Sequence, residues 1–404
     1  MRRLINTNFP QQFWLMFAGY ILSATGASMI WPFLTIFVSE RLNLPLTAVA
    51  SLLTINAAAG LVSSLLAGPV IDRLGRKWVM VASLLLNGAG YLYMSAAGTY
   101  AEFVLLMLLQ GAINPLYRVG ADAMIADLVP GEQRVDAYSM MRLSNNVGVA
   151  IGPAVGGFIA GASYNLAFYL AAFGFTVYGL LLALRAKETL PAPSEHTPAP
   201  QREGLGGYGR IFRDRPFMTF ILAFVFAQLC TSVMWVLLPV YAKTNYGLSE
   251  SLYGFIPTTN AVMVLLLQLP VTARMRHVKP VYLLSAGALL YAIGVGSVAL
   301  GGGFWGFWVS MVIMTLGELI LVPTSSTYAA NLAPAHMRGR YMSLYGLTWN
   351  VASGIGPLAG GFLNDTFNPH AIWIGAGLAG LLGVLFFARF TRPAHPSSAD
   401  TARI

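Results

Sequence analysis

Long apolar segments separated by short polar ones dominate this sequence of 404 residues. Twelve of these segments are long enough to cross the roughly 30 Å hydrocarbon core of a bilayer as helices. The pattern therefore predicts an all-α membrane protein with 12 transmembrane helices. The predicted spans lie near residues 12–38, 47–71, 78–98, 101–126, 135–161, 164–186, 216–243, 249–273, 280–300, 305–330, 338–363 and 371–391.

The longest polar interval divides these spans into two groups of six. Residues 187–215 are rich in proline, glycine and basic residues and have no apolar periodicity, which is typical of a flexible linker. We therefore expect an N-terminal six-helix bundle over residues 1–186, a cytoplasmic linker over residues 187–215 and a C-terminal six-helix bundle over residues 216–404.

An internal repeat relates the two groups of spans. When the chain is shifted by 204 positions, residues 130–158 and 334–362 are identical at 12 of 29 positions, where roughly two or three identities are expected from such a composition. The repeated segments end in NVGVAIGPAVGGF and NVASGIGPLAGGF. A repeat of this kind predicts two pseudo-symmetric halves.

Composition and charge place the chain in a lipid bilayer. Hydrophobic residues make up 56% of the sequence and charged residues 10%, whereas soluble domains carry about 25% charged residues. If the N-terminus is cytoplasmic, the loops on that side hold twenty lysines and arginines, against Arg41 and Lys243 on the other side. This asymmetry predicts a multi-pass protein of the bacterial inner membrane with both termini cytoplasmic. Basic residues spread over alternate loops do not predict a nucleic-acid surface.

The turn between the second and third predicted spans concentrates glycines and charges in the sequence GPVIDRLGRK. Glycines permit close helix approach and a positive φ, and charges crowded at a helix end need partners. Asp127, which closes the fourth span, and Arg134, which opens the fifth, are placed to supply them. We interpret the turn either as a positive-inside anchor or as a charge-gated hinge. Its residues of interest are Gly68, Asp72, Arg73, Gly75, Arg76 and Lys77.

The fifth predicted span carries small residues three and four positions apart around a proline. Such spacing opens a groove for another helix backbone, while the proline removes a hydrogen bond and bends the helix. A second copy in the eleventh span gives each half a matching seam, which favours alternating access over ordinary tight packing. The residues of the first copy are Gly148, Gly152, Pro153, Gly156 and Gly157.

These two stretches resemble motifs of the major facilitator superfamily, the twelve-helix secondary transporters. The turn matches the G-x-x-x-D-R-x-G-R-K motif, and the fifth span matches the G-x-x-x-G-P-x-x-G-G motif of the drug/proton antiporter branch. The resemblance implies the major facilitator fold, transport driven by a proton gradient without a cofactor, and no enzymatic activity. One departure is Met107, which stands where many members of that branch have an arginine three residues before Gln110 and Gly111.

Four charged residues fall in the interiors of predicted spans, away from the span ends, where each is costly and tends to mark the transport path: Arg118, Asp122, Arg142 and Glu318. Arg118 and Asp122 are one helical turn apart and can pair with each other. Loss of hydration favours protonation of a carboxylate, so Glu318 is a candidate carrier of the coupling proton. The alternative is a fixed ion pair between Glu318 and Arg142. The resemblance to multidrug antiporters adds that Glu318 can also meet cationic substrates.

Aromatic and amide residues inside the spans are candidates for a substrate cavity. A lining of rings and amides with few charges suits an amphipathic or lipophilic solute. The candidates are Tyr20, Asn56, Tyr91, Asn114, Tyr117, Asn145, Asn146, Gln228, Trp235, Gln268, Trp349 and Asn350.

These observations predict a monomeric exporter of lipophilic or cationic compounds in exchange for protons. Its partners are a small-molecule substrate, protons and the lipid bilayer. Within transporters, the alternatives are a lipid or metabolite exporter or flippase, or a facilitator without proton coupling.

An integral-membrane enzyme would need nucleophiles, acids or metal ligands clustered at one membrane face, and the five histidines are scattered in loops and tails. We therefore expect neither an enzyme nor a metal site, and two packed seams disfavour a channel.

Overall fold

The computed structural model describes residues 9–190, 208–275, 277–334 and 337–389. Over these residues the chain is built from helices and short connections. Short 3₁₀ turns lie at Gly131–Gln133 and Ser297–Ala299. The α-helices are α1 (Gln11–Leu42), α2 (Leu46–Leu74), α3 (Arg76–Ala96), α4 (Tyr100–Leu128), α5 (Arg134–Ala162), α6 (Tyr164–Arg185), α7 (Tyr208–Arg213), α8 (Arg215–Tyr246), α9 (Glu250–Met275), α10 (Pro280–Gly296), α11 (Gly303–Leu332), α12 (Arg338–Thr366) and α13 (Pro369–Arg389).

Twelve of these helices are long enough to span a membrane, so the predicted all-α transmembrane fold is confirmed. Within the described residues, eleven of the twelve are also apolar enough by composition. The exception is α12, whose 29 residues give a length of about 43 Å. It packs against α2, α8 and α13.

Local signals in the sequence set where the helices begin and end. A capping box of Thr99 and Glu102 starts α4, with the Glu102 carboxylate accepting from the Thr99 backbone N–H at 2.8 Å. The Asp214 carboxylate caps α8, just before a proline in its first turn. Gly75, with φ of 91°, makes the sharp turn between α2 and α3.

The long helices form two pseudo-symmetric bundles of six. In the first bundle α1 packs on α5, α2 on α4, and α3 on α4 and α6. In the second bundle the equivalent contacts are those of α8 with α12, α9 with α11, and α10 with α11 and α13. Because the repeated segments of the sequence lie in α5 and α12, the repeat corresponds to this structural symmetry.

The bundles meet along α2 and α12, along α5 and α9, and along α1 and α8. Two large apolar clusters fill the bundles. Phe37 and Phe168 pack edge to face in the first bundle, and Phe224 and Tyr345 are stacked in the second. The second cluster continues across the boundary into the first bundle through Phe33, Ile36, Leu53 and Ala160.

The expected linker is more ordered at its ends than its composition predicts. Residues 208–213 form the short helix α7, because Ile211 is fully buried in the second apolar cluster. At the other end, Glu188 and Thr189 make hydrogen bonds with the first bundle. The remainder of the predicted linker, residues 191–207, lies outside the described residues.

Candidate functional site

A cavity of about 600 Å³ lies between the two bundles. Most of its lining comes from α1 to α5, and Trp235 of α8 and Asn350 of α12 close it from the second bundle. Aromatic rings, amides, small residues and one arginine share the lining. The residues that contact it are Tyr20, Ser23, Ala24, Ala27, Ser28, Trp31, Pro32, Asn56, Ala57, Gly60, Ser64, Tyr91, Gln110, Gly111, Asn114, Pro115, Tyr117, Arg118, Asn145, Val149, Pro153, Phe175, Trp235 and Asn350.

Eight of the twelve sequence candidates contact this cavity, and Asn146, Gln228, Gln268 and Trp349 do not. Gln228 is buried inside α8, where its side-chain oxygen accepts from Thr231 at 3.4 Å. Gln268 donates to the Leu319 carbonyl at 3.1 Å and so ties α9 to α11. Gln228 and Gln268 have the same helical spacing as the lining residues, but each makes a side-chain hydrogen bond on its own helix or within its own bundle.

The two ends of the bundles differ in how the helices meet. We call the end that holds the start of α1 at Gln11 and the α2–α3 turn at Gly75 the basic face, and the end that holds Leu42 to Leu46 the opposite face. Between mid-membrane and the opposite face, the bundles are joined by hydrogen bonds. Thr35 donates to the Val236 carbonyl at 3.1 Å, and Thr54 donates to the Gly354 carbonyl at 2.6 Å.

At the opposite face, Asp365 of α12 caps the first turn of α2. Its Oδ2 accepts from the Thr47 backbone N–H at 2.8 Å and from Thr47 Oγ1 at 2.6 Å, and its Oδ1 accepts from the Leu46 N–H at 3.3 Å. The residue before α2 is Pro45, which provides no side-chain cap. Helix α2 therefore receives its N-terminal cap from the other bundle. We call this contact the inter-bundle cap.

A second group of charges joins the bundles at the same face. Lys243 of α8 forms ion pairs with Glu40 of α1, at 2.6 Å, and with Glu250 of α9. Tyr164 of α6 donates to Glu250 Oε1 at 2.5 Å. Together with the inter-bundle cap, this group closes the cavity toward the opposite face. Sequence reasoning missed both contacts, although Lys243 stood out as one of two basic residues on that side.

The glycines of the α5 motif serve two different interfaces. A Cβ at Gly148, Gly152 or Gly156 would lie within 2.8 Å of the α1 backbone, so these three allow close packing inside the first bundle. A Cβ at Gly157 would instead collide with the Glu250 backbone of α9 in the second bundle. A Cβ at Gly254 of α9 would likewise collide with the Pro153 carbonyl oxygen, so the predicted seam between bundles is formed at Gly157 and Pro153 and not by the whole motif.

The copy of the motif in α12 divides in the same way. A Cβ at Gly356 would lie 3.0 Å from the Leu229 carbonyl oxygen of α8, within the second bundle. A Cβ at Gly361 would lie 2.9 Å from Thr47 Cα of α2, across the bundle boundary. Close approach at this boundary positions Thr47 for the inter-bundle cap.

The charged turn at the basic face is organised by Arg76. Its Nε lies 3.1 Å from Asp127 Oδ2, and its Nη1 lies 3.7 Å from Asp72. The Asp72 side chain is 69% exposed, so it is held weakly in this conformation. Glu188, a residue that the sequence did not single out, accepts from the backbone N–H groups of Arg76 and Lys77 at 3.0 and 3.1 Å and caps α3.

Two other residues of the turn region differ from what the motif predicts. Arg134 does not pair with the turn; it donates to the carbonyls of Ala126 and Val129, at the end of α4. Gly68 was expected to permit close helix approach, but a Cβ there would meet nothing within 4 Å. That part of the prediction is wrong for this conformation, because α2 has no neighbour packed on Gly68. Arg73 is exposed.

The ion pairs that the sequence suggested for the four intramembrane charges do not form among the described residues. In the described part of the chain, no ion pair within 4.0 Å joins Arg118 to Asp122 or Glu318 to Arg142. Instead, Asn260 of α9 donates to Glu318 Oε2 at 2.7 Å. Glu318 therefore belongs to a polar cluster between α9 and α11 rather than to the lining of the cavity.

Comparisons with known proteins agree with this architecture. A Na(+), Li(+), K(+)/H(+) antiporter of Planococcus maritimus is 27% identical, with 89% of each chain covered. Multidrug resistance protein MdtH of Escherichia coli O1:K1 / APEC is 26% identical, with 79% of each chain covered. The crystal structure of nucleoside transporter NupG superposes with a TM-score of 0.80 at 12% identity and covers 95% of this chain and 100% of that chain.

The family match extends over nearly the whole sequence. Residues 16–249 and 220–404 each match the Major Facilitator Superfamily; the first match covers the first bundle and α8, and the second covers most of the second bundle. The fold, the cavity between the bundles and this match give the same assignment. The chain is a multi-pass membrane protein that belongs to the Major Facilitator Superfamily.

Proposed function

We propose that the protein is a secondary active transporter that exports lipophilic compounds in exchange for protons by alternating access. The observation that carries this proposal is the 600 Å³ cavity between two pseudo-symmetric bundles that are joined toward one face. The mixture of rings and amides in its lining suits an amphipathic solute. The expected cationic substrates have less support, because no carboxylate is present in the described lining.

The distribution of basic residues supports an orientation with the basic face in the cytoplasm. In that orientation the cavity is closed toward the outside and loads its substrate from the cytoplasm, with both termini on the cytoplasmic side of a bacterial inner membrane. Both bundles and the cavity belong to one chain, which supports action as a monomer. The names of the two relatives, one a multidrug resistance protein and one a proton antiporter, support proton-coupled export.

Glu318 is the proposed carrier of the coupling proton. It forms no ion pair within 4.0 Å in the described structure, so no salt bridge has to break before its carboxylate accepts a proton. Its partner Asn260 lies in α9, two residues after Thr258, which donates to the Ala150 carbonyl of α5 at 3.3 Å. Helix α9 thus connects the carboxylate to the seam between the bundles, and protonation of Glu318 would weaken its bond to α9.

Transport in proteoliposomes under an imposed pH gradient tests this proposal. Wild-type protein should accumulate a lipophilic dye only when the gradient is present, and Glu318→Gln should abolish that dependence. Glu102→Gln is the matched control, because Glu102 is an exposed capping residue outside the cavity. Undiminished gradient-driven uptake by Glu318→Gln would remove this residue from the mechanism. Dye uptake by wild-type protein that does not depend on the pH gradient would favour a facilitator without proton coupling.

A further inference from the structure

Among the described residues that line the cavity, Arg118 is the one with a charged side chain. Arg118 is exposed, and no carboxylate lies within 4.0 Å of its guanidinium in the described structure. Asp122, one turn nearer the basic face, is exposed as well and does not line the cavity. Asp122 interacts with Arg118 electrostatically but forms no ion pair with it within 4.0 Å in the described structure, and the cavity is lined by Arg118 alone of the two.

The one arginine in the described lining decides which charge the cavity can accept. A guanidinium forms two parallel hydrogen bonds with a carboxylate or sulfonate, and these charge-assisted bonds are about twice as strong as neutral ones. A cation in the same place would lose hydration without gaining a counter-charge from the lining. The lining thus stabilises one negative group on a bound molecule.

The rest of the lining accommodates an aromatic body. Trp31, Phe175 and Trp235 present large rings to the cavity, and three tyrosines add rings with polar edges. Gln110, which is 3% exposed, also contacts the cavity, and its side chain lies beside the Tyr91 hydroxyl.

We propose that the transported substrates are amphipathic organic anions, in which an aromatic body carries a carboxylate or sulfonate that binds Arg118. This inference rests on the proposed function, and it replaces the expected cationic class with an anionic one. The volume of about 600 Å³ is in the range of drug-sized ligand sites. Arg118 holds the anionic group, while the ring system lies between Trp31 and Trp235.

Direct binding to the purified full-length protein tests the inference without transport. Fluorescein and rhodamine 6G share a xanthene ring system, and the first is an anion while the second is a cation. Wild-type protein should bind fluorescein at least tenfold more tightly. Arg118→Gln should weaken fluorescein binding by about 10- to 100-fold, the loss expected for charge-assisted hydrogen bonds, and should leave rhodamine 6G binding unchanged.

Three further variants complete the test. Arg389→Gln, at the end of α13 and outside the cavity, removes one positive charge and should leave both affinities unchanged. Arg118→Lys should retain part of the fluorescein affinity, and Arg118→Glu should reverse the preference. Wild-type protein that prefers rhodamine 6G or binds neither dye overturns the inference, as does an Arg118→Gln protein that binds fluorescein like wild type.

The two proposals fail in different assays. If fluorescein binding depends on Arg118 but no dye accumulates under a pH gradient, the anionic site stands and the proposed exchange with protons is wrong. If rhodamine 6G accumulates in a gradient-dependent way and fluorescein neither binds nor moves, the exchange stands and the anionic class is wrong.

Discussion

The inter-bundle cap gives a quantitative prediction about the closed face. Asp365→Ala removes all three hydrogen bonds by which α12 caps the start of α2. Loss of an N-cap costs about 1 kcal/mol, and the three bonds together contribute no more than one cap because Asp365 is exposed and water weakens each of them. The cap joins the bundles only when this face is closed. Its loss should therefore raise the ratio of open to closed molecules about fivefold.

Two variants separate the cap from other effects at the same face. Asp365→Asn keeps an oxygen that can cap α2, so it should shift the ratio much less than Asp365→Ala. Asn368 caps α13 within one bundle, accepting from the Ala371 N–H at 3.0 Å. Asn368→Ala should therefore lower stability by a similar amount without opening the face.

The measurement is a distance distribution between spin labels on the two bundles. Cysteines at Gly98 and Leu300 suit this purpose, because a Cβ at Gly98 meets nothing within 4 Å and Leu300 is 92% exposed. The buried Cys230 would be replaced by alanine. An unchanged distribution in Asp365→Ala, or an equal shift in Asn368→Ala, would refute the role of the cap.

Three other substitutions test separate parts of the structure. Gly157→Ala should slow transport by forcing α5 away from Glu250 of α9, whereas Gly161→Ala, which has open space, should have no effect in the same uptake assay. Glu188→Ala removes the cap of α3 and should lower the free energy of unfolding by about 1 kcal/mol, measured by thermal or denaturant unfolding in detergent. Asn260→Ala should shift the pH profile of transport, because the amide donates to the proposed proton carrier; an unchanged profile would contradict that role.

Much of the fold follows from the sequence because a lipid bilayer leaves the backbone few choices. Every backbone donor and acceptor in hydrocarbon must be paired within the chain, so long apolar segments can only be helices. The repeat in α5 and α12 therefore predicted two related bundles, which the structure confirms. The charged turn at Gly75 also follows from its residues, since the positive φ there favours glycine.

The arrangement of the candidate site was less predictable, since helical period shows which residues share a face but not what that face meets. Glu318 and the cavity candidates are all polar or aromatic residues inside apolar spans. In the structure, however, Glu318 of α11 faces Asn260 of α9, whereas eight of the candidates surround the cavity. Arg118 and Asp122 have the spacing of an ion pair and do not form one within 4.0 Å in the described chain.

The sequence by itself determined the number of spans, the two-bundle symmetry and the residue types available to a transport path. The tertiary structure alone decided which face is closed and by what contacts. Asp365 and Thr47 are 318 residues apart, and no local pattern relates a carboxylate in one bundle to the uncapped start of a helix in the other. Such contacts depend on how the bundles are oriented, and that orientation is a property of the folded chain in one conformation.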